Sequence, residues 1–226
     1  MGTRHLICVM KDNEYKVAQY GQWDGYPDSQ GIDILNFLKK YDKEKFLSKL
    51  DKYVEFGTEE ELKDQWKQCG AGDDEWADSK VANKHRELFP ENSRDTGANI
   101  LNIIQKTKRK LLLKNTIDFA ADSLFCEYVY VIDFDKNAYE IYEGYNHTFL
   151  DPSERFAFLI KKDESEHILD KLTNSEDEFF PVKFLKSFNL DFLPDKKNFL
   201  KELGSEDEWN YLNLVIYFIF YQDRSG

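Results

Sequence analysis

The run Cys126-Glu127-Tyr128-Val129-Tyr130-Val131-Ile132-Asp133 restricts the architecture more than any other stretch. Tyr128, Tyr130 and Ile132 alternate with Val129 and Val131, so a strand here carries large apolar side chains on both faces. Neighbouring residues of a strand point to opposite sides, and a strand apolar on both sides needs cover on both. Phe134-Asp135-Lys136-Asn137 then turns the chain into Ala138–Glu143, which completes a hairpin. The chain is therefore expected to build layers on either side of a sheet.

A second hairpin opens the sequence, with Arg4–Met10 and Tyr15–Tyr20 joined by Lys11-Asp12-Asn13-Glu14. Helical signals fill the space between the hairpins. Ile32, Leu35 and Leu38 lie along one stripe, with Asp28 or Ser29 as a cap. Asp42 restarts a helix whose apolar positions are Phe46, Leu47, Leu50 and Val54. Thr58-Glu59-Glu60-Glu61 reads as a capping box, opening a helix that turns Leu62 and Trp66 inward. Gln68–Asp78 reads as an exposed loop, Ser79–Phe89 as a helix ended by Pro90, and Asp95-Thr96-Gly97 as a helix start with Asp95 at the N-cap. Asp151-Pro152-Ser153-Glu154 is a further helix start. Lys162–Glu178 suits a loop or a loosely held helix, and Phe180–Leu193 suits either a strand or a helix. Leu212–Tyr221 is expected to close the sheet as a strand, being too short to span a bilayer. No repeat or Pro/Gly-rich linker divides the chain. The expected fold is one α+β domain over residues 1–226. Its central, largely antiparallel sheet is built from the hairpins 4–20 and 126–143 and a C-terminal strand, packed with several helices.

Composition removes several functions. Aromatic residues make up 15% of the 226, far from the composition of a disordered chain. A formal charge of -12 argues against nonspecific nucleic-acid binding and against an anionic membrane surface. The basic run Lys106, Lys108, Arg109, Lys110, Lys114 reads as a solvated helix end. The 3 cysteines have no paired spacing, and the 4 histidines, His5, His85, His147 and His167, are scattered. No metal or cofactor is called for. A thiol beside a carboxylate at Cys126-Glu127 resembles an activated nucleophile, but strand neighbours face apart. The opening residues lack the apolar core of a secretory signal, so the expected location is cytoplasmic and reducing.

The richest chemistry lies in Gln19-Tyr20-Gly21-Gln22-Trp23-Asp24-Gly25-Tyr26-Pro27. Trp23 and Tyr26 supply flat apolar surface, and Gln19, Gln22 and Asp24 supply directed polar contacts, the mixture a small-molecule pocket needs. Asp24 is the candidate acid/base. Arg4 and Arg94 are candidates for holding an anionic group, Arg94 because it adjoins an expected helix N-terminus, and His5 stands beside Arg4. The same residues also serve as ordinary turn chemistry, with Trp23 in the core and Arg4 paired to Asp24.

The segments GTRHLICV, VAQYGQWDGYP, RDTGANIL and FAADSLFCEYVYVIDFDKNAYEIYEGYN together resemble a family of intracellular proteins common in filamentous fungi. More loosely they resemble small bacterial and phage proteins that begin Met-Gly-Thr-Arg. The resemblance runs from Met1 to about Asn146 and supplies candidate positions rather than an activity. The order of strand pair, helices, strand pair is also similar to that of N-terminal nucleophile hydrolases. Here Gly2 follows Met1, and no Asp or Lys of the first hairpin matches their supporting groups. Two functions remain. The first is a small-molecule-binding protein or hydrolase-type enzyme, acting on an anionic ligand at the Gln19–Pro27 loop. The second is a non-enzymatic interaction module that offers a protein partner an acidic, aromatic surface.

Overall fold

The computed structural model describes residues 2–72, 78–160 and 178–204. The main sheet comprises β1 (His5–Lys11), β2 (Glu14–Gly21), β5 (Tyr128–Asp133), β6 (Ala138–Glu143) and β7 (Lys183–Asn189), in the order β2-β1-β5-β6-β7. A separate parallel pair joins β3 (Val54–Phe56) to β4 (Leu111–Leu113). Both expected hairpins are present. At the first turn Asp12 and Asn13 adopt left-handed φ of 58° and 59°, the geometry that matches the twist of two-residue hairpins. The Asp135 carboxylate accepts hydrogen bonds from the amides of Asp12 (2.9 Å) and Asn13 (2.8 Å), so the turn of one hairpin ties down the other.

The sheet is α+β and largely antiparallel, but the two hairpins meet in parallel along β1 and β5. That contact brings the N-terminal ends of β1 and β5 to one edge, together with the C-terminal ends of β2 and β6. The segment Phe180–Leu193, readable either way from sequence, contributes β7 beside β6. Leu212–Tyr221 lies outside the described residues.

Six helices are described: α1 (Ile32–Leu38), α2 (Lys43–Tyr53), α3 (Glu59–Cys69), α4 (Ser79–Leu88), α5 (Asn99–Lys106) and α6 (Lys196–Glu202). One sheet face, with Ile7, Val9, Tyr130, Ile132 and Ile141, packs on Leu35, Phe46, Leu50, Leu101, Ile104 and Phe199 of the helices. The other face, with Leu6, Cys8, Val129 and Val131, is covered by Ala120, Leu150, Phe156 and Val182 from irregular segments.

Asp42 caps α2 by accepting from the Lys45 amide (3.0 Å), and Thr58 and Glu61 form the full capping box of α3. Three local expectations are corrected. Neither Asp28 nor Ser29 caps α1, which continues instead from a π-helical turn over Pro27–Gly31. α5 begins at Asn99, because Gly97 takes a left-handed φ of 49° and Asp95 is engaged elsewhere. From Asp151 to Ile160 the chain makes only turns and one 3-10 turn, Ala157–Leu159, because Arg155 and Phe156 are drawn beneath the sheet.

Arg155 organises that second face. Its Nε donates to Glu140 Oε2 (2.7 Å) and to the Tyr142 hydroxyl (3.2 Å), and its Nη2 pairs with Asp133. The side chains of Arg155, Asp133 and Glu140 are 6%, 2% and 8% exposed. Tyr142 donates to Glu140 (2.8 Å), and Asp133 accepts from the amides of Asp135 (3.0 Å) and Lys136 (2.8 Å). Burial works against the Arg155 charge, but the hydrogen bonds to Glu140 and Asp133 outweigh it and hold the guanidinium charged.

Candidate functional site

The Gln19–Pro27 segment leaves the sheet at the edge where β1 and β5 begin. The residue needing a left-handed backbone there is Asp24, with φ 55°, which a short polar side chain tolerates. Gly21 and Gly25 are required for a different reason. A Cβ on Gly21 would lie 2.2 Å from the His5 ring, and one on Gly25 would lie 2.8 Å from the Thr3 carbonyl and 2.9 Å from His5. The bend is thus folded over the His5 imidazole. Tyr130 and Tyr139 support it from below, their buried hydroxyls donating to the carbonyls of Gly25 (2.7 Å) and Gly31 (3.0 Å). Buried tyrosines need such partners, and here they fix the height of the bend above the sheet.

His5 is 1% exposed, and neither ring nitrogen makes a hydrogen bond among the described residues. The Thr3 carbonyl lies near enough to favour the protonated ring but is itself occupied by the Gly25 amide (3.0 Å). Burial dominates and pushes His5 down to about 4, against the pull of Thr3 and the Asp24 carboxylate, so the ring is neutral at pH 7.

Beside the bend a cleft of about 570 Å³ opens between β2, α4, residues 92–95 and residues 114–119. Tyr20, Trp66, His85 and Phe119 form its aromatic walls, and Arg86, Arg94 and Lys114 its cationic groups, with Asp95 the carboxylate among them. Each wall is pinned. Gln19 Nε2 donates to the Ser93 carbonyl (3.1 Å), and the Gln22 amide donates to the Arg94 carbonyl (2.9 Å). Asn92 donates to the Leu112 carbonyl (2.7 Å), and the Thr116 hydroxyl donates to the Ala18 carbonyl (2.6 Å). Buried Glu91 takes both guanidinium nitrogens of Arg109 at 2.9 Å. That pairing occupies one member of the basic run expected to be a solvated helix end.

Asp95 is held by Trp23, whose Nε1 donates to Oδ1 (2.9 Å), and by Arg86 Nε at 3.2 Å from Oδ2. It therefore organises the cleft margin and does not cap α5. Trp66, expected inward, is 37% exposed and stacks on His85 with ring centroids 3.8 Å apart. His85 is 4% exposed, makes no hydrogen bond among the described residues, and is lowered by burial. The cleft wall thus carries an imidazole whose burial disfavours its charged form and whose nitrogens have no partner among the described residues.

Of the residues singled out from sequence, Gln19 and Arg94 line the cleft. Gln22 touches it through the Tyr20 hydroxyl, which donates to Gln22 Oε1 (2.6 Å), and Trp23 through Asp95. Arg4 stands outside, its guanidinium 4.3 Å above the Phe125 ring, and no ion pair joins it to Asp24 among the described residues. Burial raises Tyr20, and both Arg4 and Arg94 act on its hydroxyl in the opposite direction, so the two arginines share that neighbour. Asp24 and Tyr26 are exposed and do not line the cleft. His85, Arg86 and Lys114 were missed. The only sequence signals are the polar run Lys84-His85-Arg86 on α4 and, for Lys114, the basic run expected to be a solvated helix end.

Cys8 and Cys126 are buried, and burial pushes both thiols far up, out of the range of reactive cysteines. Among the described residues no group of three or more His, Cys, Asp or Glu side chains could hold a metal ion. No described helix is long and apolar enough to cross a membrane. No family model, curated protein or solved structure matches the chain.

Proposed function

We propose that the protein binds a small anionic molecule, with a flat apolar portion, in the cleft beside the Gln19–Pro27 bend. The observation that carries this is the local reversal of charge. In a chain of net -12, Arg86, Arg94 and Lys114 meet a single carboxylate, Asp95, inside an aromatic-walled cleft. Concave sites with mostly apolar walls and a few fixed polar groups are where small ligands bind. Arg94 is the principal anion ligand in this reading. Its side chain is 62% exposed and, among the described residues, its one ion-pair contact is 4.0 Å to Asp95, whereas Arg86 is drawn closer to that acid. Lys114 makes no ion pair among the described residues. His85 supplies a hydrogen-bond acceptor in the wall of the cleft. Asp24, which does not line the cleft, is not part of this site.

Phenyl phosphate, an aromatic anion, serves as the probe. Isothermal calorimetry is expected to show saturable binding that Arg94→Ala weakens about tenfold, the scale of one charge-assisted contact, with unchanged thermal stability. Asp24→Asn is expected to bind normally. Loss of binding in Asp24→Asn with Arg94→Ala unaffected would move the site to the outer side of the bend. Native mass spectrometry of the purified protein tests for a retained ligand directly.

A second reading has its own support. Trp23, Tyr26, Leu124, Phe125 and Tyr145 are 42–70% exposed at the edge where β1 and β5 begin. Exposed apolar residues gathered in one place suit a protein partner. A Tyr26→Ser/Phe125→Ser variant that keeps phenyl phosphate binding while losing a partner would separate the two surfaces.

A further inference from the structure

We propose that a second groove, between α1 and α5, holds an extended peptide segment by its main chain. The groove, about 430 Å³, is lined by Asn36, Asn99, Asn102 and Gln105, with Asp33 and Lys40 beside them. Its two walls run parallel and are clasped at both ends. At one end Gln30 Oε1 accepts from the Ala98 amide (2.7 Å), and at the other Gln105 Oε1 accepts from the Asp42 amide (3.3 Å). Asn99, Asn102 and Gln105 follow each other at helical spacing on α5. Asp33, Asn36 and Lys40 do so along α1 and the turn after it, so two polar stripes face one opening. Among the described residues the side chains of Asn36, Asn99 and Asn102 make no hydrogen bond.

A carboxamide offers an acceptor and two donors, the complement of the one donor and one acceptor on each peptide unit. From Asn99 to Gln105 the stripe rises about 9 Å, the reach of roughly three extended residues. Asp33 and Lys40 lie at opposite ends of α1, so the groove has no net charge and favours a segment basic at the Asp33 end and acidic at the Lys40 end. A sugar fits less well. Of the two rings lining the groove, Phe37 is buried and Tyr41 is drawn into contacts with Phe37, Phe46 and Phe134.

The probe is the blocked pentapeptide acetyl-Lys-Ala-Ser-Ala-Glu-amide, titrated into the full chain labelled with nitrogen-15. Saturable shifts are expected at the side-chain amides of Asn36, Asn99 and Asn102 at millimolar peptide. A version N-methylated at both alanines is expected to bind about tenfold more weakly, because one or two main-chain donors are lost. An Asn36→Ser/Asn102→Ser variant with an otherwise unchanged spectrum is expected to lose the response. Equal binding of the N-methylated peptide, no shift at millimolar peptide, or tighter binding of maltotriose at the same resonances would each overturn the proposal.

Discussion

Replacing Arg155 with Met keeps most of the aliphatic volume and removes only the guanidinium. It leaves Asp133 and Glu140, with side chains 2% and 8% exposed, facing each other's charge without their main counter-ion. Lys136 Nζ, 3.8 Å from Glu140 and 65% exposed, offers partial compensation to one of them. Breaking a buried pair by removing one partner costs about 3–5 kcal/mol, whereas replacing every charged member by neutral groups is often close to neutral. For a chain of this length the single change corresponds to a fall of about 6–20 °C in melting temperature. Urea unfolding at pH 7 is the assay, read as a shift in midpoint at constant slope. The triple variant Arg155→Met/Asp133→Asn/Glu140→Gln keeps acceptors for the amides of Asp135 and Lys136 and is expected to regain most of the loss. A single variant losing under about 1 kcal/mol, or a triple variant no better than the single, would refute the argument that buried charge compensation holds residues 151–160 to the sheet.

Gly21→Ala is expected to cost about 1–3 kcal/mol, the usual range for overpacking, because the new methyl group falls on the His5 ring. In a His5→Ala background the same change should cost little, and thermal denaturation of the four proteins measures that coupling; an unchanged cost would show that the imidazole is not the obstacle. The neutral burial of His5 gives a pH dependence whose sign is fixed. Its folded value of about 4 lies below the ordinary 6.5, so the unfolded chain binds the extra proton between those values and stability falls as pH drops from 6.5 to 4. The gap is worth about 3 kcal/mol. Denaturation midpoints across that window should slope less steeply in His5→Leu, while the residual slope includes His85, which is lowered in the same direction; an unaltered slope would mean His5 is charged in the folded protein.

What the sequence determined by itself was local. Hairpin turns, the Asp42 cap, the Thr58 capping box and the two-sided apolar character of β5 all depend on interactions within a few residues, and each was legible. The Gln19–Pro27 bend was legible as a place, because glycine, proline and aromatic residues gather there in an order that neither strand nor helix accommodates. Only the tertiary structure decided that the hairpins join in parallel, and that the bend's glycines make room for an imidazole rather than for a turn. It also drew Asp95 away from the helix start, since a tryptophan and an arginine from distant segments compete for its oxygens. The cleft itself is assembled from β2, α4 and two turns separated by tens of residues. Nothing in the local pattern around His85, Arg86 or Lys114 could signal that convergence, because charge and burial at those positions are set by neighbours far along the chain.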